Sequence, residues 1–240
     1  MWRRPKPTRL TNILLCALFL AIASPPSPRA QTPPAAPTPP PTVPGPAAPK
    51  GEPTAETGVD GFRSARFGMT EAQLRAAIKS DFKVADNAIK AATHPVEQTR
   101  FLQVAVRDLV AIGGEAQVHY VLGFRSKTLI QINVQWTATD PDGIDTVRAV
   151  AAALRDLFAS QAQAGRFAKD SIATNVRAQD ALIVFQGSDD KKRTVRLLFE
   201  SAQAPPAAPG RPPQVIARVR LMYMLSADNP DIQRPQSGQF

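Results

Sequence analysis

Side chains able to bind or react are few in this chain, and they are widely spaced. His94, beside Pro95, and His119, inside an apolar run, are its 2 histidines, and its one cysteine, Cys16, lies in an N-terminal apolar stretch. A zinc site draws three or four ligands from His, Cys and carboxylates. No such set recurs here, so no metal ligand is assigned. Asp140, Asp142 and Asp145 look like the opening of a calcium loop, but the third early ligand and the closing glutamate are missing. Acidic residues ahead of a helix satisfy its free N–H groups and complement its dipole, and that is the role expected of them. There is no G-x-S-x-G elbow to present a serine nucleophile. The glycines form no phosphate-cradling loop. No catalytic and no cofactor-binding residue is therefore assigned, and His119 is expected to be a sheet residue.

The stronger candidate is a group of cations. In two apolar runs near the C-terminus, Val195, Leu197, Phe199, Val219, Leu221 and Tyr223 occupy every second position. If these six face a core, Arg196, Arg218 and Arg220 share the solvent face, near Lys191, Lys192 and Arg193. Such a stripe attracts anionic lipid, cell-wall polymer or an acidic protein patch. It also suits a plain solvated sheet face that discourages edge pairing. Aromatic residues that would stack on bases do not interleave the arginines, so nucleic acid is not an expected partner.

These cations need a scaffold, and the scaffold does not begin at residue 1. Arg3, Arg4, Lys6 and Arg9 precede the apolar run Ile13 to Ala23, which ends in small residues. This is the order of a secretory signal peptide, with Ala21-Ile22-Ala23 as the preferred cleavage site. The run is shorter than the roughly 17 to 25 apolar residues of a spanning helix, so no transmembrane span is expected after cleavage. Cleavage also removes Cys16, leaving a domain with neither disulfide nor thiolate. Residues 24–57 hold 13 of the chain's 24 prolines. Proline fixes φ and lacks a donor, so a disordered or polyproline II spacer is expected over 24–61. Residues 62–226 form the expected folded domain and 227–240 a tail. The net charge of +9 divides about evenly between the leader and the folded part.

Within the domain, Thr70 and Gln73 have capping-box spacing, and Met69 and Leu74 that of a hydrophobic staple. A helix is expected from there to about Ser80, with a second short helix over 83–92. Strands are expected at 101–110, 116–124 and 129–137. In the third, Ile130, Ile132, Val134 and Trp136 alternate with Gln131, Asn133, Gln135 and Thr137. A long helix follows Asp140-Pro141, with Ile144, Val147, Ala151, Leu154 and Phe158 on one stripe. Strands at 181–186, 193–201 and 214–225 complete the pattern, the last two separated by a proline-rich loop over 202–213. The expected class is α+β: antiparallel sheet covered on one face by helices, in the order helix, three strands, helix, three strands. Six strands in one sheet and two smaller units side by side both fit that order.

The run Phe67-Gly68-Met69-Thr70-Glu71-Ala72-Gln73-Leu74 resembles the helix opening of the outer-membrane assembly lipoproteins of the SmpA/OmlA type and of β-lactamase-inhibitor-like domains. That resemblance implies a small α+β module that binds proteins. The chain departs from those lipoproteins in having no lipobox, which speaks against a lipid anchor. Phe62 to Leu74, together with Ala227-Asp228-Asn229-Pro230-Asp231-Ile232 and the ending Gly238-Gln239-Phe240, is also similar to a set of uncharacterised exported proteins of alphaproteobacteria. The expectation is a periplasmic or secreted protein that acts by binding, as an envelope-associated interaction module or as a small-ligand or inhibitor-like domain. An enzyme of unrecognised type is the third alternative.

Overall fold

The computed structural model describes residues 58–204 and 214–234. The expected signal peptide over 1–23, nearly all of the expected spacer over 24–61 and most of the expected 202–213 loop lie outside the described residues. Two short strands, β1 (Gly61–Phe62) and β2 (Ala65–Arg66), form a small hairpin that leads into helix α1 (Glu71–Phe82). The helix starts where the capping chemistry requires. The Thr70 N–H donates to Gln73 Oε1 at 2.9 Å, and the Gln73 N–H returns to Thr70 Oγ1 at 3.5 Å. Lys83, with φ of 55°, ends it in the left-handed region. Leu74 and Ile78 are its fully buried residues.

Strands β3 (Lys90–Thr93), β4 (Arg100–Arg107), β5 (Glu115–Leu122) and β6 (Leu129–Ala138) form an antiparallel meander. Helix α2 (Pro141–Gln163) crosses to a second one, made of β7 (Ala173–Ala178), β8 (Ala181–Ser188), β9 (Thr194–Ala204) and β10 (Gln214–Met224). Asp140 caps α2, its carboxylate accepting from the Gly143 N–H at 2.8 Å, and Asp145 pairs with Arg148 at 2.9 Å. The fold is thus mixed α+β, a large antiparallel sheet with two helices.

The two meanders merge into one eight-stranded sheet in the order β3-β4-β5-β6-β10-β9-β8-β7. The last strand of each meander meets the other at the centre, antiparallel, with Val134 opposite Leu221. This palindromic order is what a two-fold axis between β6 and β10 would generate. It decides for a single sheet over two separate units.

The element order differs from the expected one at two places. The short helix expected over 83–92 is instead a 3-10 turn at Asp86–Ala88 followed by β3. Lys90–Thr93 has helix-tolerant alanines, yet its four backbone pairings with β4 override that weak preference. Strand β7 was not expected at all. It is an exposed edge strand with no buried position, so it carries none of the apolar alternation by which strands are found. Each helix therefore precedes four strands, and the order helix, three strands, helix, three strands does not hold.

Alternation fixes the sheet's two faces. Ile132, Val134 and Trp136 on β6, Val118 and Tyr120 on β5, and Val219 and Leu221 on β10 are buried. They belong to the same cluster as Leu74 and Ile78 of α1 and Val147, Val150, Leu154 and Phe158 of α2. Each such side chain contributes about 1.5 to 3 kcal/mol by leaving water. The fold also extends past the expected limits of 62 and 226. Val59 is fully buried, and Asp231 is tied to the β5–β6 turn by hydrogen bonds from the backbones of Phe124, Arg125 and Ser126.

Candidate binding surface

The polar positions of β6, β10 and β9 come together because period-two alternation turns them away from the core. Gln131, Asn133 and Gln135 stand on β6, Arg218, Arg220 and Met222 on β10, and Arg196 and Glu200 on β9. Arg218 Nη1 reaches Glu200 at 3.1 Å and Arg220 Nη2 reaches the same carboxylate at 3.2 Å. Arg196 Nε donates to Gln186 Oε1 at 2.6 Å. These three arginines are half-buried, so one acid and one amide hold them in fixed positions.

The other three expected cations do not join them. Arg193 is turned inward and pairs with the buried Asp189 at 2.6 Å and with Asp60. Lys191 and Lys192 are exposed on the β8–β9 turn, beside Thr194 at the start of β9. Glu200 lies six residues further along, about 20 Å at strand rise. The six-residue surface therefore divides into the Arg218 and Arg220 pair on Glu200, Arg196 nearer the lysine turn, the exposed turn itself and an internal ion pair. Sequence spacing could not separate these, because one of the two acids that take up Arg193, Asp60, comes from the other end of the domain.

A groove of about 460 Å³ lies on the same polar face, and Arg220 forms one end of it. A bulge at Val121/Leu122 offsets β5 from β6, so that Leu129 sits opposite Leu122 and Gln131 opposite Val121. Ile130 is the extra residue. It is 7% exposed and outside the core cluster, and it lines the groove. Phe101 and His119 stand on its floor with ring centroids 5.9 Å apart. Burial, and then the nearby Arg220 guanidinium, holds His119 below its ordinary pKa, so the ring is neutral at pH 7.

The groove's far wall is made by two segments with no sequence signal of function. The 94–99 turn is closed by His94 N–H to Thr99 O at 2.8 Å, and Glu97 N–H donates to His94 Nδ1 at 3.1 Å. The C-terminal strap docks on it through Gln233 N–H to Glu97 O at 2.9 Å, bringing Pro230 and Ile232 over the groove. Asp231 anchors the strap, and hydrogen bonds from the Ser126 and Arg125 backbones hold its carboxyl below the usual range. A second hollow of about 650 Å³ lies between Phe124, Arg125 and residues 229–234. Its one carboxylate, Asp231, is already taken up by the β5–β6 turn, so the first groove is the better candidate.

The amide row Gln131, Asn133 and Gln135 was legible as a wet sheet face but not as a groove floor, since the bulge and the strap give it walls. Among the described residues, no helix is long and apolar enough to cross a membrane. No protein-family model matches the chain, and neither a curated protein nor a solved structure matches it significantly.

Proposed function

We propose that the protein is an exported, non-catalytic binding module of the cell envelope, carried on a proline-rich spacer and engaging an acidic partner through the polar face of β6, β10 and β9. The observation that carries this reading is that Arg218 and Arg220 share the single carboxylate of Glu200 while Arg196, on the same face, is held only by the neutral amide of Gln186. Three guanidinium groups against one acid leave an excess of positive charge on a half-buried face, where water screens it less than at an exposed one. In this reading α1 and α2 both cover the apolar face, which leaves the polar face open to a partner. Support comes from the one buried cluster that holds both helices and the inward strand positions. Export is supported by the basic, apolar and small-residue order of residues 1–23. The partner is an envelope protein or an anionic cell-wall or lipid surface.

A second reading, a small-ligand module, is favoured by the groove itself, whose volume lies within the roughly 300 to 1,000 Å³ of ordinary ligand sites.

The test is cosedimentation with envelope material at low and high salt, using the wild type and an R196Q/R218Q/R220Q variant. Glutamine keeps a donor near Glu200 without piling acids on it. Binding of the wild type should fall as salt rises, and the variant should bind several-fold more weakly at low salt. Equal binding by the two proteins removes the proposal.

A further inference from the structure

We infer that the groove is a site for a short zwitterionic peptide, about four or five residues long, extended along β6 with its carboxylate at Arg220 and its amino group at Glu97. This rests on taking the polar sheet face as the binding face. It adds a ligand class that the arginine cluster alone does not specify.

The first argument is charge placement. Arg220 is the one guanidinium that lines the groove, and Glu97 is the one carboxylate. His94 accepts the Glu97 N–H on Nδ1, which fixes its ring beside the acid. Arg220 stands opposite Gln135. Glu97 precedes β4, whose first residue, Arg100, stands opposite Leu122, which in turn faces Leu129. The acid and the cation thus lie at opposite ends of the groove. From Ile130 to Gln135 is five residue steps, about 17 Å at strand rise, which is the span of four or five extended residues. An anionic polymer would meet Glu97 as a repulsive end, whereas a free peptide brings one charge of each sign.

Spacing supplies the second argument. Gln131, Asn133 and Gln135 repeat every second residue, about 6.8 Å, and an extended peptide repeats its outward main-chain groups at the same interval. Gln131 Nε2 donates to Asn133 Oδ1 at 2.8 Å and Gln135 Nε2 to Thr137 Oγ1 at 3.2 Å. The Gln131 carbonyl, the Asn133 amino group and the Gln135 carbonyl are left without a protein partner among the described residues. These are the acceptor, donor and acceptor that peptide N–H and C=O groups require. At the Glu97 end, Phe101, Val121, Ile130 and Ile232 form an apolar bay, so a non-polar side chain is expected near the amino terminus.

The test is calorimetric titration of the full protein with the tetrapeptide alanyl-leucyl-alanyl-alanine, in four forms: free-ended, N-acetylated, C-amidated and doubly blocked. On the wild type each block should weaken binding roughly tenfold, the usual loss on removing a charged hydrogen-bond partner. In Arg220→Gln, amidation should cease to matter while acetylation still does. Glu97→Gln should show the reverse. Equal affinity of the wild type for free-ended and doubly blocked peptide, or no binding of the free-ended form at millimolar concentration, overturns the inference. Those comparisons need no variant to fold. If they fail while R196Q/R218Q/R220Q still loses envelope material, the peptide site falls and the arginine-face reading stands.

Discussion

Asp189 is buried, and its carboxylate accepts hydrogen bonds from the backbone N–H groups of Val59, Lys191 and Arg193. The Arg193 guanidinium, whose side chain is only 11% exposed, pairs with it and with Asp60. One acid thus closes the β8–β9 turn, neutralises a buried cation and holds the strand of chain that enters the domain. Removing Asp189 leaves three backbone N–H groups without their acceptor and the buried guanidinium with Asp60 alone, a loss of about 3 kcal/mol. Asp189→Ala should lower the stability of the domain by that amount in urea denaturation, while Lys191→Ala, whose side chain is exposed, should change it by no more than about 0.5 kcal/mol. Equal effects from the two would mean that the turn is held by its backbone alone. Arg193 also shows what residue-scale reading of a sequence can and cannot reach. Its charge was legible, but its direction was not, since that depends on Asp60 and Asp189, brought together only by the fold. Arg218 and Arg220 were placed correctly from alternation, because a strand's period decides on which face a side chain lies without knowledge of any neighbour.

At the scale of elements, the signals that survived into the structure are the ones with a local cause. Helix α1 begins at its capping box, and Thr70 does a second job there by bridging to Thr128, just before β6. Thr70→Ala should destabilise the domain by about 1 kcal/mol, and Thr70→Ser should restore most of it, because the serine hydroxyl can still accept the Gln73 N–H. Thermal denaturation of the two variants checks this, and a serine variant no better than alanine would move the effect from the cap to the methyl group. Strands β5, β6 and β10 were legible for a related reason, since each buries one face and so writes its period into its own sequence. Edge strands β3 and β7 bury almost nothing, and their pairing energy lies in backbone hydrogen bonds that any residue except proline can make. That is why both were missed. The bulge that turns Ile130 out of the core was missed as well. Its cause is the register between β5 and β6, which simple alternation along β6 does not reveal.

For the whole molecule, the open question from sequence was whether two strand groups make one sheet or two. The β6–β10 seam answers it with eight paired positions, from Ala138 opposite Ala217 to Gln131 opposite Met224. Long-range pairing of this kind follows from which apolar faces are left uncovered once each meander has formed. Neither meander alone would cover its last strand. Helix α2 then spans the seam, packing on β6 from the first meander and on β8, β9 and β10 from the second. A helix that touches both halves should make them unfold together. Leu154, 7% exposed on the buried stripe of α2, is the residue to change. Leu154→Ala should cost about 2 to 5 kcal/mol through lost burial and the cavity it leaves. In a Trp2→Phe background, fluorescence reports on Trp136 in the first meander, and far-UV circular dichroism reports on the whole sheet. The two urea transitions should coincide in the parent protein and shift by the same amount in the Leu154 variant. If the fluorescence midpoint stays put while the dichroism midpoint falls, the seam is a contact between two independently stable units. The polar face that spans it would then be a surface able to open between β6 and β10, not the rigid floor that the amide row and Arg220 require.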